Sequence, residues 1–150
     1  MTEILFYHMT QSTLERTLPG LLERSIERGW RAVVQTSLNE RCEALDNHLW
    51  TYRDDSFLPH GAQGEAANPA DHPIWITTGD DNPNSANIRF LIDGAESGSL
   101  DEYERIITLF DGHDADAVDA ARASWKRLKE QSHQLTYWQQ NEDGGWEKKA

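Results

Sequence analysis

Residues 4–36 read ILFYHMTQSTLERTLPGLLERSIERGWRAVVQT, and they indicate a strand, a helix and a second strand in that order. The apolar run at residues 4–8 predicts a short buried strand. Leucines and an isoleucine then recur at helical spacing over residues 11–28, and Gly29 ends the helix. Residues 31–36 contain Ala-Val-Val and predict the second strand. Strands and helices that alternate through short connections are typical of an α/β protein with a mainly parallel sheet.

The same alternation continues through the rest of the chain. After a second helix that ends at Trp50, the sequence predicts strands at residues 73–78, 88–92 and 105–110. A long last helix is then predicted to begin among the acids at residues 111–116 and to end at about Gln134. An extended segment at residues 135–139 follows it. We therefore expect a single α/β domain over residues 1–140, with a mainly parallel, twisted sheet of about five strands and flanking helices. Residues 141–150 are predicted to form a flexible C-terminal tail.

The composition favours a cytoplasmic protein of one domain. The 150 residues carry a formal net charge of -12, which argues against broad binding of nucleic acid because such proteins normally present an excess of positive charge. No apolar run approaches the roughly 20 residues that span a bilayer, and no secretory signal is recognisable at the start. The single Cys42 cannot form an internal disulfide, which fits a reducing cytoplasm. We expect a soluble cytoplasmic protein whose contact with DNA is indirect.

The sequence lacks the motifs that mark a nucleotide, metal or catalytic site. Neither G-x-G-x-x-G nor G-x-x-x-x-G-K-[ST] follows any predicted strand. His60, Asp71 and His72 share one long loop but lack the spacing of metal ligands, and the acids at residues 111–119 lack the glycine and the closing glutamate of a calcium loop. Ser56 lies near His60 without a G-x-S-x-G pattern. We therefore predict no catalytic residue, no cofactor and no metal.

A basic stretch stands out in this acidic chain. Four of the fourteen Lys and Arg residues lie within residues 121–129, which read ARASWKRLK. A helical projection places Trp125 on an apolar stripe and Arg122, Lys126 and Lys129 along its flank. The stretch is thus predicted to form an aromatic surface rimmed by three cations, which is suited to docking. A solvated helix face with ordinary charge pairs is the alternative.

A second unusual stretch reads LWTYRDDSFLPH at residues 49–60 and carries three aromatic residues where a helix ends and a long loop begins. Aromatic residues on connecting segments either pin the loop to the core or contact a partner protein. The residue pattern by itself leaves these two alternatives open.

Three segments of the chain form a recognisable set. They are the first strand with Phe6-Tyr7, the L-W…S-F-L-P-H run at residues 49–60, and A-R-x-x-W-K at residues 121–126. Together they resemble the chi subunit of bacterial DNA polymerase III over nearly the whole chain, although Trp125 stands where that family often has a tyrosine. The resemblance implies a non-catalytic accessory subunit with a Rossmann-like fold that lacks nucleotide-binding function. Such a subunit bridges the clamp-loader complex to single-stranded DNA-binding protein.

The resemblance also implies a role for the basic stretch. In the family, the acidic C-terminal tail of single-stranded DNA-binding protein docks on the last long helix, at positions that correspond to Arg122, Trp125 and Lys126. Arg122 would pair with the terminal carboxylate or a tail aspartate, Trp125 would form a wall for the last side chain, and Lys126 would steer the acids. Lys129 would assist.

By the same resemblance, the aromatic stretch forms the surface that receives the psi subunit, or a helicase-like protein that competes for that place. The residues implied are Trp50, Phe57, Leu58, Pro59 and His60. A Phe that is followed closely by a Pro makes a rigid apolar anchor. A Phe57 side chain that folds under its own loop is the alternative.

Two other classes of function stay open on the sequence. One is an α/β enzyme with an atypical nucleotide site, against which the missing phosphate loop counts. The other is weak direct binding of single-stranded DNA through the basic helix. The resemblance favours a replication subunit that acts in the cytoplasm and reaches the nucleoid through the replisome.

Overall fold

The computed structural model describes residues 2–52, 58–64, 68–98 and 100–150. Their helices are α1 (Leu14–Glu27), α2 (Asn39–Thr51) and α3 (Ala115–Glu130), with a short 3-10 turn at Pro69–Asp71. Their strands are β1 (Glu3–Met9), β2 (Ala32–Gln35), β3 (Gly61–Ala62), β4 (Ile74–Thr77), β5 (Ile88–Leu91), β6 (Arg105–Asp111), β7 (Gln134–Gln140) and β8 (Trp146–Lys148). The predicted α/β class and the strand-helix-strand-helix opening are confirmed.

The strands form one sheet in the order β3-β4-β2-β5-β6-β1-β7-β8. Neighbouring strands are parallel except β7 and β8, which are antiparallel. β1 lies inside the sheet, so Phe6 sits opposite Thr108 of β6 on one side and Tyr137 of β7 on the other. The described strands outnumber the roughly five that the sequence predicts. The two-residue β3 is too short for an alternating pattern, β7 is predicted only as an extended segment, and β8 lies in the predicted tail.

Helices cover both faces of the sheet. α1 and α2 pack on the face where Leu5 and Met9 of β1 point, and α3 packs on the face where Ile4 and Phe6 point. Because β1 leads into α1 while the adjacent β6 leads into α3, the connections diverge between these two strands. The carboxyl ends of strands at such a point are where open α/β sheets commonly bind their ligands.

Local interactions fix both ends of α3. The Asp114 carboxylate caps the first turn by accepting from two of its backbone N–H groups, at 3.0 and 3.2 Å. The helix ends at Glu130. Ser132 then adopts a left-handed φ of 64°, which lets the His133 N–H turn back to the Leu128 carbonyl at 3.2 Å. The sequence-based prediction extends this helix about four residues too far, because the left-handed residue is a serine and not the glycine that usually marks such an end.

The last residues form a hairpin where the sequence predicts a flexible tail over residues 141–150. β8 pairs with β7, and the Asn141 side-chain oxygen accepts from two backbone N–H groups of the turn between them, at 3.0 and 2.9 Å. The Trp146 ring packs on Tyr7 at a centroid distance of 4.9 Å. The prediction missed this hairpin because the acidic, glycine-containing composition hides a turn-forming asparagine and an aromatic residue that reaches the core.

One fully buried charge lies in the sheet. The Arg89 guanidinium of β5 is shielded from solvent. It donates to the Gln35 side-chain oxygen at 2.9 and 2.5 Å, to the Tyr103 hydroxyl at 2.8 Å, and to the carbonyls of Gly79 and Asp81 at 2.7 and 2.9 Å. Burial raises the pKa of Tyr103 to about 12. These bonds tie the loop after β4 to strands β2 and β5.

Candidate functional site

One side of α3 packs on the sheet, where Trp125 contacts residues of β1 and β7. Trp125 is half-buried, and its ring meets Phe6 and Tyr137 edge to face at centroid distances of 5.4 and 5.6 Å. Phe6 and Tyr137 come from adjacent strands and stack on each other at 6.5 Å. We call these three residues the aromatic shelf. Their packing fixes the indole and leaves part of it exposed, so the predicted position of Trp125 between core and surface is confirmed.

Three cations flank the aromatic shelf. Arg122, Lys126 and Lys129 are exposed, and within the described ranges none of them makes a hydrogen bond or an ion pair. Arg127, the fourth cation of the basic stretch, differs because it pairs with Glu96 at 3.3 Å. The three unpaired cations are therefore available to an incoming anion.

The unpaired cations follow one side of the helix. Lys126 comes four residues after Arg122, and Lys129 comes three residues after Lys126, so the three side chains lie one above the other along α3. Among the described residues these cations lack the ordinary charge pairs of a helix surface, and their side chains face solvent. A line of positive charge beside an aromatic shelf suits an extended peptide that combines carboxylates with an apolar side chain.

His8 lies next to Tyr137 of the aromatic shelf, within range of the charge of Arg122. The His8 Nδ1 atom and the Tyr137 hydroxyl form a hydrogen bond of 2.7 Å. Burial lowers the pKa of His8, and the nearby charges of Arg122 and His113 lower it further, while Asp111 opposes them. Burial raises the pKa of Tyr137, against the effect of Arg122. Sequence reasoning missed His8, since a lone polar residue in an apolar strand gives no sign of the helix above it.

The second predicted surface is divided between core and exterior. Leu58 and His60 are buried, Pro59 is half-buried, and Trp50 is 49% exposed. His60 is held by the Leu58 carbonyl at 2.7 Å and by a carboxylate of α2 at 3.1 Å, and its ring lies 4.4 Å from that of Trp50. Phe57 lies outside the described residues. Leu58 and His60 therefore position this segment from inside, and Trp50 faces solvent.

A side chain of the protein fills the place where a Rossmann-like domain commonly binds phosphate. That place is the turn after the first strand, where backbone N–H groups converge at the start of the first helix. Here the oxygen of the buried Gln140 side chain accepts from the N–H groups of Thr10, Gln11 and Ser12 at 3.0, 2.9 and 3.0 Å. The Gln140 amide nitrogen donates to the Ser12 hydroxyl at 2.9 Å. The donors of this turn are thus satisfied internally, by a residue that sequence reasoning assigned no role.

A crevice of about 760 Å³ opens beside this turn, between α3 and the loops that follow β1, β5 and β6. Arg41 lies at its edge and is neutralised by Glu15 and Asp93, each at 2.9 Å. Further carboxylates line the crevice at Glu96, Asp111, Asp114 and Asp116. Because these carboxylates repel phosphate groups, the crevice counts against an atypical nucleotide site.

The Cys42 thiol and the acidic and histidine side chains do not form a recognisable catalytic or metal site among the described residues. The Cys42 thiol is buried in α2, and burial, with a smaller effect of Asp93 and Glu43, raises its pKa to about 11. Such a thiol is protonated at neutral pH and is a poor nucleophile. Among the residues whose positions are described, no three His, Cys, Asp or Glu side chains are arranged to hold a metal ion. No helix in that part of the chain is long and apolar enough to cross a bilayer.

The fold and the site define a Rossmann-like α/β domain that carries an aromatic and cationic surface. In the turn after β1, where such domains commonly bind phosphate, this domain places its own Gln140 side chain. The chain belongs to the DNA polymerase III chi subunit (HolC) family, whose family model matches residues 1–136. The resemblance noted in the sequence is thereby confirmed, and the chain is placed among the accessory subunits of DNA replication.

Two relatives illustrate how far the similarity extends. A protein named probable DNA polymerase III subunit chi, from Rickettsia prowazekii (strain Madrid E), is 27% identical over 110 residues, which is 73% of this chain and 66% of the relative, just under two thirds of its length. A protein named DNA polymerase III subunit chi, from Pseudomonas aeruginosa, is 26% identical over 139 residues, which is 90% of this chain and 94% of the relative. The family match ends within β7, so β8 lies beyond it.

Proposed function

We propose that this chain is a non-catalytic adaptor of DNA replication, which bridges the DNA polymerase III clamp-loader complex to the C-terminal tail of single-stranded DNA-binding protein. The observation that supports the proposal is the α3 surface, where three unpaired cations flank the half-buried Trp125. An acidic tail that ends in an apolar residue and a free carboxylate needs both of these features. The proposed role places the protein in the cytoplasm, where it reaches DNA only through its partners.

Each residue of the α3 surface has a distinct part in the proposed complex. Arg122 pairs with the terminal carboxylate or a tail aspartate through two parallel hydrogen bonds, which its planar guanidinium favours. Trp125 is held in place by the other rings of the aromatic shelf and forms a wall for the last side chain of the tail. Lys126 and Lys129 attract the acidic residues, an effect that matters because the chain as a whole is negative.

The proposed link toward the clamp loader uses the segment around Trp50. The psi subunit, or a helicase-like protein that competes for the same place, binds Trp50, Phe57 and Pro59 in this proposal. Leu58 and His60 support the surface from beneath, since both are buried and the His60 ring lies 4.4 Å from that of Trp50. An exposed indole backed by a buried ring is suited to serve as an interface anchor.

The proposal is tested by isothermal titration of the full chain with a synthetic peptide of that acidic tail at low salt. We expect the parent protein to bind, and Arg122→Ala to bind about tenfold more weakly or worse, because a hydrogen bond to a charged group contributes about 1.5–3 kcal/mol. Arg127→Ala is the matched control, since Arg127 lies on the same helix but is already paired with Glu96. Undiminished binding by Arg122→Ala, or equal losses in the two variants, would contradict the proposal.

Parallel measurements separate the other two classes of function. A direct DNA binder would bind a single-stranded oligonucleotide without the peptide, and its affinity would fall steeply with salt. A nucleotide-dependent enzyme would show a higher melting temperature in the presence of nucleotide. We expect neither result, because the net charge is -12 and because Gln140 already satisfies the donors of the turn after β1.

A further inference from the structure

We propose that His8 is a further contact residue of the tail-binding surface, which takes a carboxylate of the acidic peptide together with Arg122 and gains a proton from solvent as it does so. This proposal rests on the proposed function, because it concerns the same surface. The ligand group is a peptide carboxylate, from either a side chain or the C-terminus.

Strand geometry puts His8 on the α3 side of the sheet. Alternate residues of a strand point to the same face, so His8 shares a face with Phe6, which contacts Trp125. α3 follows β6 and runs back along the parallel strands in the opposite direction, so earlier helix residues lie nearer the carboxyl end of β1. Arg122, nearly one turn before Trp125, is therefore close enough for its charge to influence His8.

One nitrogen of the His8 ring is hydrogen-bonded, and the other has no hydrogen-bond partner among the described residues. Nδ1 bonds with the Tyr137 hydroxyl at 2.7 Å, whereas Nε2 has no hydrogen-bond partner among the described residues and is not shielded from solvent. Phe110 packs against the ring at 4.9 Å. Gly112 borders Nε2 so closely that any side chain there would collide with it. The glycine thus provides the room that the imidazole occupies.

Protonation changes what the His8–Tyr137 pair offers to a ligand. When the ring is neutral and the Tyr137 hydroxyl donates to Nδ1, the Nε2–H group is the only donor of the ring. When the ring is protonated, Nδ1–H donates to the hydroxyl oxygen, so the Tyr137 O–H is released and can donate to a carboxylate. The protonated pair therefore presents a positive charge and two donors beside Arg122.

The surrounding groups set the sign of the pH dependence. Burial lowers the pKa of His8, and the charges of Arg122 on α3 and of His113 in the loop after β6 lower it further. Asp111 of β6 has the opposite effect on this pKa. Tyr137 faces the ring from β7. His8 is thus mainly neutral at pH values near 7 in the free protein. A bound carboxylate offsets the positive charge of Arg122 and raises the pKa of His8. Affinity is then highest below the pKa of the free state and falls as the pH rises through the pKa of the bound state.

The test is isothermal titration of the full chain with the acidic tail peptide between about pH 5.5 and 7.5, in buffers of different ionisation enthalpy. We expect the affinity to rise by up to about tenfold toward the acid end, with uptake of up to about one proton, because a rise of one unit in a single pKa corresponds to a tenfold change. Peptide carboxylates titrate near pH 4, so they stay charged over this range.

Two variants identify the group that takes the proton. His8→Gln should bind with little dependence on pH. His113→Gln is the comparison: it should keep the dependence but move it to higher pH, because a group that lowers the pKa of His8 is removed. If His8→Gln does not fold, an NMR titration of the His8 imidazole in the parent protein, with and without peptide, gives the same answer.

The outcomes distinguish this proposal from the proposed function. An unchanged pH dependence in His8→Gln, or a His8 pKa that the peptide leaves unaltered, overturns the role of His8 and leaves the peptide-binding adaptor intact. A parent protein that does not bind the peptide at any pH overturns both.

Discussion

Arg89 shows how a single buried charge is held by neutral groups. In the part of the chain that the structure describes, its guanidinium meets no carboxylate; its bonds go to an amide oxygen, a hydroxyl and two backbone carbonyls. A buried charge is costly unless hydrogen bonds replace its hydration. All five N–H groups of the guanidinium find an acceptor here, so that replacement is complete. The loop after β4 and the side chain of Tyr103 consequently depend on this one residue.

We expect Arg89→Met to lower the free energy of unfolding by about 3 kcal/mol or more, because several buried acceptors lose their partner and each unpaired group costs about 1–3 kcal/mol. Arg127→Met is the control, since an exposed arginine in a surface ion pair contributes about 1 kcal/mol or less. Urea denaturation followed by tryptophan fluorescence measures both changes. Similar losses in the two variants would show that the bonds of Arg89 add no stability.

At the scale of elements, β8 pairs with the last three residues of β7 and forms a short edge strand of the sheet. Without β8, the outer edge of β7 would present unpaired backbone groups, which invite association between chains. Trp146 adds an aromatic contact with Tyr7 on the face that α1 and α2 cover. The hairpin therefore combines edge protection with packing on the core, although the sequence around it is polar.

Trp146→Ala should lower the free energy of unfolding by about 2 kcal/mol, because a half-buried ring that packs on the core is removed. Lys148→Ala, in the same strand, removes only an exposed side chain and should change the value by about 0.5 kcal/mol or less. Chemical denaturation of both variants provides the comparison. A flexible tail, as the sequence predicts, would instead leave the Trp146 variant as stable as the parent.

Most elements are predictable because their periodicity is local. β1, α1, β2 and α2 each carry enough apolar residues at a single spacing to be recognised from the sequence. The end of α3 is not predictable in this way, since it depends on Ser132 adopting a left-handed conformation that favours glycine. The hairpin depends on Asn141 bonding its own turn, a signal that is easily lost among neighbouring acids.

At the scale of the whole molecule, Gln140 joins the two ends of the chain. Its side chain bonds the turn between β1 and α1, about 130 residues earlier in the sequence. The Thr10 hydroxyl donates to the Gln140 backbone carbonyl at 3.0 Å and adds a second link between the same segments. Because β7 pairs with β1 in parallel, the carboxyl ends of both strands meet at this turn. The contact therefore follows from the order of strands in the sheet.

Gln140→Ala should lower the free energy of unfolding by about 2 kcal/mol or more, since three partly buried backbone N–H groups lose their acceptor. Gln139→Ala is the matched control and should cost about 0.5 kcal/mol, because Gln139 is half-buried and makes no side-chain hydrogen bond among the described residues. Amide hydrogen exchange of Thr10, Gln11 and Ser12 gives a direct readout. Exchange that is equally slow in both variants would contradict the assignment.

The candidate site divides into residues that the sequence reveals and residues that it does not. Arg122, Trp125 and Lys126 lie on one helix, so a helical projection is enough to place them side by side. His8 and Gln140 bond partners that are about 130 residues away in sequence, and the order of strands in the sheet brings those partners together. Local spacing carries no information about that order, which is why these two roles emerge only from the structure.

Because the Gln140 side chain fills the turn between β1 and α1, the stability of the fold does not depend on a free ligand at that turn. A domain that folds around a free nucleotide gains stability with the logarithm of the nucleotide concentration. Gln140 is covalently part of the chain, so the group that fills this turn cannot be diluted or depleted. At this turn the folding equilibrium is therefore independent of metabolite levels.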